Sequence, residues 1–192
     1  MRATAALLVF LFLLLLLVSP SPSRAEGRIS GLEVKLDGPR VLASLALVDA
    51  FHRRLRERVA SGLPTSILYR FELDKDQQRW WDRYLQAATL EVTAVYDAVA
   101  RQYTINYKLN DKLIDSRTVH DPQALAEAMT RVESLPVFTL AGIPGGWRLL
   151  VKARAELGSR TVLSIVPVAI TTDWVESAKF RAPAPPPLRP PP

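Results

Sequence analysis

The stretch LEVTAVYDAVARQYTINYKL, from Leu90 to Leu109, indicates the fold most directly. In LEVTAVYD and again in RQYTINYKL, apolar or aromatic residues recur at every second position. This period of two is typical of strands with one buried face and one solvated face. Because a short turn at Ala98 to Ala100 separates the two segments, they are expected to pair as an antiparallel hairpin.

Other parts of the chain repeat this alternation. The segment WRLLVKARAEL, from Trp147 to Leu157, places apolar and charged residues on opposite faces. Pro167 lies in the last of the further strands, and because proline has no N–H for the ladder, an edge strand or a bulge is expected there. The further strands are predicted at Ile29–Leu36, Val41–Val48, Ser66–Leu73, Lys112–Thr118 and Val162–Ile170.

The segment DAFHRRLRERVASG changes to a helical period. Asp49 is the predicted N-cap, and Gly62 is the predicted end of the helix. The apolar residues Phe51, Leu55 and Val59 recur at every fourth position, which predicts one buried stripe.

A second helix is predicted in HDPQALAEAMTRVESLP. Asp121 is its predicted N-cap, Pro122 occupies the first helical position, and Pro136 ends the helix. The apolar stripe consists of Leu125, Met129 and Val132. The chain is therefore expected to form an α+β domain with a predominantly antiparallel β-sheet and two helices packed against it. A β-sandwich is the alternative arrangement of the strands.

The two ends of the chain differ from the middle. Arg2, the apolar run from Ala5 to Val18 and the small residues flanking Arg24 predict a secretory signal peptide over residues 1–25. Residues 26–181 are predicted to form one domain, and the proline-rich residues 182–192 are predicted to be a disordered tail. We therefore expect export to the periplasm, with an uncleaved inner-membrane anchor as the alternative.

Composition excludes several classes of function. The chain has 192 residues and no cysteine, so disulfides and thiol chemistry are excluded. The net charge of +6 is reduced in the domain, because three of the 25 basic residues, Arg2, Arg24 and Arg189, lie in the end segments. The domain therefore contains 22 basic and 19 acidic residues, a net charge of +3. Because this charge is small and export is expected, no nucleic-acid partner is predicted.

Few residues offer catalytic or metal-binding chemistry. The two histidines, His52 and His120, are predicted at a surface or boundary position and in an exposed loop. The segment Asp74-Lys75-Asp76 lacks the glycine and distal glutamate of a calcium loop, and a solvated turn is predicted. We therefore predict no catalytic residue, metal or cofactor, and treat a hydrolase with a non-standard site as the least favoured alternative.

The adjacent tryptophans in QQRWWDRY are the main candidates for contact with a partner. At least one of the Trp80 and Trp81 rings should be buried because of its large apolar surface, and the other could contact a ligand, a partner or a membrane interface. Trp174 is predicted to be a core anchor. The proposed partner contacts are Arg79, Trp80 and Trp81, together with Arg53 and Arg54 on the basic face of the first helix. The structural alternative for that basic face is a solvated surface, and anionic lipid headgroups are another binding alternative.

Five segments in this order resemble an exported proteobacterial family, DUF4390: SGLPTSILYRFEL, RWWD, LEVTAVYDAVARQYTINY, WRLLVKARAEL and TDWVESAKFR. The resemblance spans about Ile29 to Arg181. It departs from the family pattern at AELGSRTVLSIVPVAI, although Pro167 falls near the proline expected there. The resemblance implies no activity, and the frequent proximity of family genes to a membrane-bound sensor kinase implies a role in envelope signalling.

The expected function is that of a non-enzymatic periplasmic protein-interaction module. Its expected partner is an unidentified protein, with a membrane sensor kinase as one candidate, and peripheral membrane contact is a further expectation. The alternative is a carrier that binds a small ligand or lipid between the sheet and the helices.

Overall fold

The computed structural model describes residues 27–51, 53–77, 82–162 and 166–184. These residues form eleven strands and two helices. In chain order the elements are β1 (Arg28–Asp37), β2 (Arg40–Val48), α1 (Arg53–Ala60), β3 (Thr65–Lys75), β4 (Arg83–Asp97), β5 (Gln102–Leu109), β6 (Lys112–Val119), α2 (Pro122–Thr130), β7 (Arg131–Thr139), β8 (Arg148–Val162), β9 (Val166–Thr171), β10 (Val175–Glu176) and β11 (Phe180–Arg181).

The larger of two sheets has eight strands, with β8, β3, β4, β5 and β6 side by side in that order. The short strands β9, β10 and β11 each pair with a different part of β8, and the pairings are antiparallel. The predicted hairpin is confirmed, because Leu90 pairs with Leu109 and Tyr96 with Tyr103. The alternation along β4 buries Leu90, Val92 and Ala94, as predicted.

The smaller sheet has three strands in the order β1, β2, β7. One face of β2 is buried and contributes to the same core as the inner face of the large sheet. Residues of α2 complete this core, and its centre includes Tyr69, Phe71, Val41, Leu125 and Met129. The predicted α+β class with two helices is confirmed, with the two sheets sharing one core between them.

Helix α1 begins later than the sequence pattern predicts. Asp49 is not the N-cap, because its φ of 60° places it in a left-handed turn after β2. The helical positions Leu55 and Val59 are buried as predicted. Gly62 ends the helix as predicted, since its φ of 80° is a conformation that glycine adopts without strain.

Helix α2 begins as predicted and ends earlier. The side chain of Asp121 accepts hydrogen bonds of 2.9 Å from the backbone N–H groups of Gln123 and Ala124. The predicted continuation to Pro136 is wrong, because β7 follows Thr130 without a loop and includes Val132. Proline is tolerated in β7 because β7 lies at the edge of its sheet.

The predicted strand Val162–Ile170 is also wrong as a single element. Its first residue ends β8, and most of the rest belongs to β9, which pairs back onto β8. Pro167 lies in this edge strand, as expected. Residues 163–165, between these two strands in the sequence, lie outside the described residues.

After β9 the chain follows the edge of β8 in an interrupted ladder. Where regular pairing stops, the hydroxyl of Thr172 accepts a hydrogen bond of 3.0 Å from the N–H of Ala155. The hydroxyl of Ser177 does the same for the N–H of Val151, also at 3.0 Å. These two hydroxyls replace backbone acceptors at the two breaks in the ladder, so that buried N–H groups of β8 remain paired.

Candidate functional site

The structure describes only part of the predicted partner-contact patch. Arg53 lies on α1 with its guanidinium exposed and forms an ion pair of 3.3 Å with Glu57. Arg54 belongs to the same helix, but its side chain lies outside the described part of the chain, as do Arg79, Trp80 and Trp81 entirely. The involvement of these residues in partner contact stays a prediction.

A cleft of about 400 Å³ lies elsewhere, where the two sheets diverge. Its opposite walls are β6, the last strand of the large sheet, and β7, the last strand of the small sheet. Among the described residues, neither strand has a partner on its outer side. The cleft is lined by Leu90, Tyr107, Ile114, Asp115, Arg117, Val119, Ala124, Glu127, Ala128, Arg131, Val132, Glu133 and Leu135.

Helix α2 forms a third wall and is held in place by two tyrosines. The hydroxyl of Tyr69 donates a hydrogen bond of 2.7 Å to the carbonyl of Met129. The hydroxyl of Tyr107 donates one of 2.9 Å to the carbonyl of Ala128. Burial raises the pKa of both hydroxyls above the ordinary value of 10.0, so they keep their protons, and can donate, at a higher pH than an exposed tyrosine. These bonds fix the last turn of the helix against the floor of the cleft.

The rim of the cleft carries charges of both signs. The Arg117 guanidinium donates a hydrogen bond of 2.8 Å to Asp115 and lies 4.9 Å from the centre of the Tyr107 ring. The hydrogen bond to Asp115 raises the pKa of Arg117. Across the cleft, Arg131 forms an ion pair of 3.8 Å with Glu133. The Glu127 carboxylate makes no hydrogen bond or ion pair with any described residue.

A second charged cluster was missed by the sequence analysis. Asp74 is only 4% exposed, and its carboxylate lies 2.9 Å from the ammonium of Lys152. Asp76 lies 3.0 Å from Arg148 and 3.0 Å from Lys179. The predicted solvated turn at Asp74-Lys75-Asp76 is therefore wrong, because β3 continues through Lys75 and the carboxylates are covered and paired.

This cluster is held by ion pairs within the chain. The hydrogen bond to Asp74 is the main cause that raises the pKa of Lys152, and Glu176 and Asp82 act in the same direction. The Oδ1 atom of Asp74 has no hydrogen-bond partner among the residues that the structure describes. Since Lys152, Arg148 and Lys179 together pair with these carboxylates, we assign this cluster a structural role at the base of the β3–β4 connection.

Trp174 does not occupy the core position that the sequence analysis predicts. It is 37% exposed, and the guanidinium of Arg154 lies 4.7 Å from the centre of its ring. The residue precedes β10, where the chain runs along the edge of β8 rather than into the core. Its position is that of a surface aromatic stabilised by a cation–π contact.

The described residues contain no group of three or more histidine, aspartate or glutamate side chains able to hold a metal ion. His120 is exposed between β6 and α2, as predicted, and His52 lies outside the described residues. In the same part of the chain, no helix is long and apolar enough to cross a membrane.

Comparison with known proteins identifies the family of this chain. A family model described as "Domain of unknown function (DUF4390)" matches residues 24–174. The chain belongs to this family. The matched residues include every wall of the cleft and the Asp74, Asp76, Arg148 and Lys152 side chains of the charged cluster, whereas Glu176 and Lys179 lie beyond residue 174. No curated protein and no solved structure matches the chain.

Proposed function

We propose that the DUF4390 domain is a non-enzymatic, exported domain of the cell envelope that binds a protein partner in the cleft between β6, α2 and β7. The single observation that carries this proposal is that two sheet edges, each without a partner strand in the described part of the chain, line one open cleft. Such edges offer unused backbone donors and acceptors to an incoming chain.

The lining of the cleft supports a protein partner. Its floor is apolar or aromatic at Leu90 and Tyr107, whereas its rim carries Arg117, Glu127 and Arg131. Protein interfaces combine an apolar centre with a polar rim in this way. A partner side chain that covers the floor would also approach the Glu127 carboxylate, which favours a segment with an apolar anchor and a basic neighbour.

The proposals of export and of a particular partner are supported by the sequence rather than by the cleft. The apolar run from Ala5 to Val18 has the composition of a secretory signal. The periplasmic part of a membrane sensor kinase is our candidate partner. The tryptophans Trp80 and Trp81, with Arg79, Arg53 and Arg54, remain a second proposed contact region.

The test of the cleft is a matched pair of tryptophan substitutions on α2. Ala124 lines the cleft, so Ala124→Trp should fill it, whereas Gln123 is exposed on the same helix and outside the lining. Crosslinked partners from envelope extracts are compared by mass spectrometry for wild type, Ala124→Trp and Gln123→Trp. We expect one partner to be lost only with Ala124→Trp. An unchanged set of partners in all three would contradict the proposed site.

A double substitution of Trp80 and Trp81 by alanine tests the second contact region in the same experiment. Loss of the same partner as with Ala124→Trp would extend the interface to the β3–β4 connection. Retention of that partner would remove these two rings from the proposal while leaving the cleft in place.

A small-ligand or lipid carrier is the second candidate function. The observation that favours it is the size of the cleft, since about 400 Å³ falls within the range of roughly 300–1,000 Å³ of small-molecule pockets. Native mass spectrometry of the purified protein should then show a bound mass that Ala124→Trp removes. Protein that is free of any bound mass after purification from its own envelope would count against a carrier.

A further inference from the structure

The outer edge of β6 has backbone groups and charged side chains that would fit the same edge of a second copy of the chain. The N–H of Ser116 donates a hydrogen bond of 2.8 Å to the Oδ1 of Asp115, and Arg117 donates to the other oxygen of the same carboxylate. The Ser116 N–H is therefore bonded to a side chain rather than to β5, and it faces the open edge of the sheet. Charged side chains that cover an edge in this way limit uncontrolled pairing.

We propose that β6 pairs antiparallel with β6 of a second copy of this chain, with Ser116 opposite Ser116. This inference goes beyond the proposed function, because it concerns the state of the protein alone. In an antiparallel pair, alternate residues direct their backbone groups to the same side. Ser116 of each copy would exchange two N–H to carbonyl hydrogen bonds, and Thr118 would pair with Ile114.

The charges of β6 match this register. Centring the pair on Ser116 places Asp115 of each copy opposite Arg117 of the other. Both side chains lie on the cleft face of the sheet, so the oppositely charged groups meet on the same side. Each Asp115 would give up its hydrogen bond from Arg117 of its own chain and accept one from Arg117 of the other copy. Opposite charges at directly facing positions stabilise antiparallel pairs.

The apolar side chains of β6 give a second argument. Leu113 is 55% exposed and Ile114 is 45% exposed, and both lie on this one edge strand. A β-bulge at Ile114 shifts the register between β6 and β5, although Lys112 and Leu113 still pair with β5. A second copy would cover part of these side chains, and the large sheets of the two copies would become continuous. Because the axis is perpendicular to the sheet, the two clefts would lie on the same face.

The limited length of the pairing predicts a reversible dimer rather than a permanent one. Sedimentation velocity of the purified protein over a range of concentrations should show a monomer–dimer equilibrium. Hydrogen exchange should show that the amide of Thr118 becomes more protected as the concentration rises. A monomer at every concentration up to several hundred micromolar would overturn the proposal.

Two substitutions at one position separate the backbone from the side chain. Ser116→Pro removes the edge N–H, and an edge strand tolerates proline where that N–H is not part of the internal ladder. It should raise the dissociation constant of the dimer by about tenfold or more, because two hydrogen bonds per dimer are lost. The control Ser116→Ala keeps the N–H and should dimerise like wild type. Equal dimerisation of the proline variant and wild type would contradict the register.

A charge exchange tests the same register without proline. Asp115→Arg places two arginines opposite each other and should weaken the dimer, whereas Asp115→Arg with Arg117→Asp restores opposite charges and should recover it. Failure of the double variant to recover would contradict the pairing of these two positions. The dimer would cover the β6 edge of the cleft, so a partner would bind along β7 and α2 or displace the second copy. Because neither experiment contains a partner or a plugged cleft, the dimer and the proposed function can fail independently.

Discussion

The hydroxyl of Tyr69 on the central strand β3 donates a hydrogen bond of 2.7 Å to the carbonyl of Met129 at the end of α2. Both residues are fully buried. Met129 lies in the last turn of a helix, where carbonyl groups lack partners within the helix itself. This one bond therefore joins the middle of the large sheet to the helix that forms a wall of the cleft.

Tyr69→Phe should lower the free energy of unfolding by about 1–3 kcal/mol, because it leaves a buried carbonyl without its donor. Urea denaturation at neutral pH measures this change. Tyr84, which is exposed, provides the control, and Tyr84→Phe should change stability by less than about 0.5 kcal/mol. Equal effects of the two substitutions would show that the Tyr69 hydroxyl does not stabilise the fold.

Stability should fall at alkaline pH. Burial raises the pKa of Tyr69 and Tyr107 above the ordinary value of 10.0, so the folded protein holds both protons where the unfolded chain releases them. The free energy of unfolding should be insensitive to these groups below pH 10.0 and fall as the pH rises further. Tyr69→Phe should show a shallower fall than wild type. Parallel pH profiles would contradict the assignment.

Lys152→Met should be strongly destabilising, because it leaves the buried Asp74 carboxylate without its cation. The expected loss is about 3 kcal/mol, and a second substitution, Asp74→Leu, should recover most of it. Lys108, which lies 3.8 Å from Glu91 in a more exposed pair, provides the control. Lys108→Met should cost less than about 1 kcal/mol by the same thermal or urea measurement.

Thr172→Val and Ser177→Ala should each destabilise the protein by about 1–2 kcal/mol. Each removes a hydroxyl that accepts from a buried N–H of β8, namely that of Ala155 or Val151. Hydrogen exchange should show faster exchange of that one amide in each variant. The exposed Thr118 gives the control, since Thr118→Val should leave both amides unchanged. A uniform rise in exchange along β8 would instead indicate loss of the whole edge.

The residues that sequence analysis located correctly are those in which local pattern and final structure agree. Alternation from Leu90 to Leu109 predicts the hairpin because each strand buries one face. Asp121 followed by Pro122 predicts the start of α2 because the cap is formed by neighbouring residues. These signals depend on contacts within a few positions, and the sequence contains all the information they need.

The errors arose where distant residues decide the structure. Val132 fits the stripe of α2, yet it belongs to β7 because β2 offers a strand to pair with. Asp74 and Asp76 resemble a solvated turn, yet Lys152 and Arg148, far along the chain, allow them to be covered. The cleft itself has no local signal, because it exists only where the ends of two sheets meet.

The position of β3 has a consequence for how the molecule forms. Leu68 pairs with Glu91 on one side and with Glu156 on the other. The first pairing needs only a nearby segment, whereas the second must wait until the final third of the chain has been synthesised. Ordering such a long intervening segment is entropically costly, so folding should be slow. Until β8 has been synthesised and has paired, one edge of β3 is exposed. A chaperone that covers this edge would suppress aggregation.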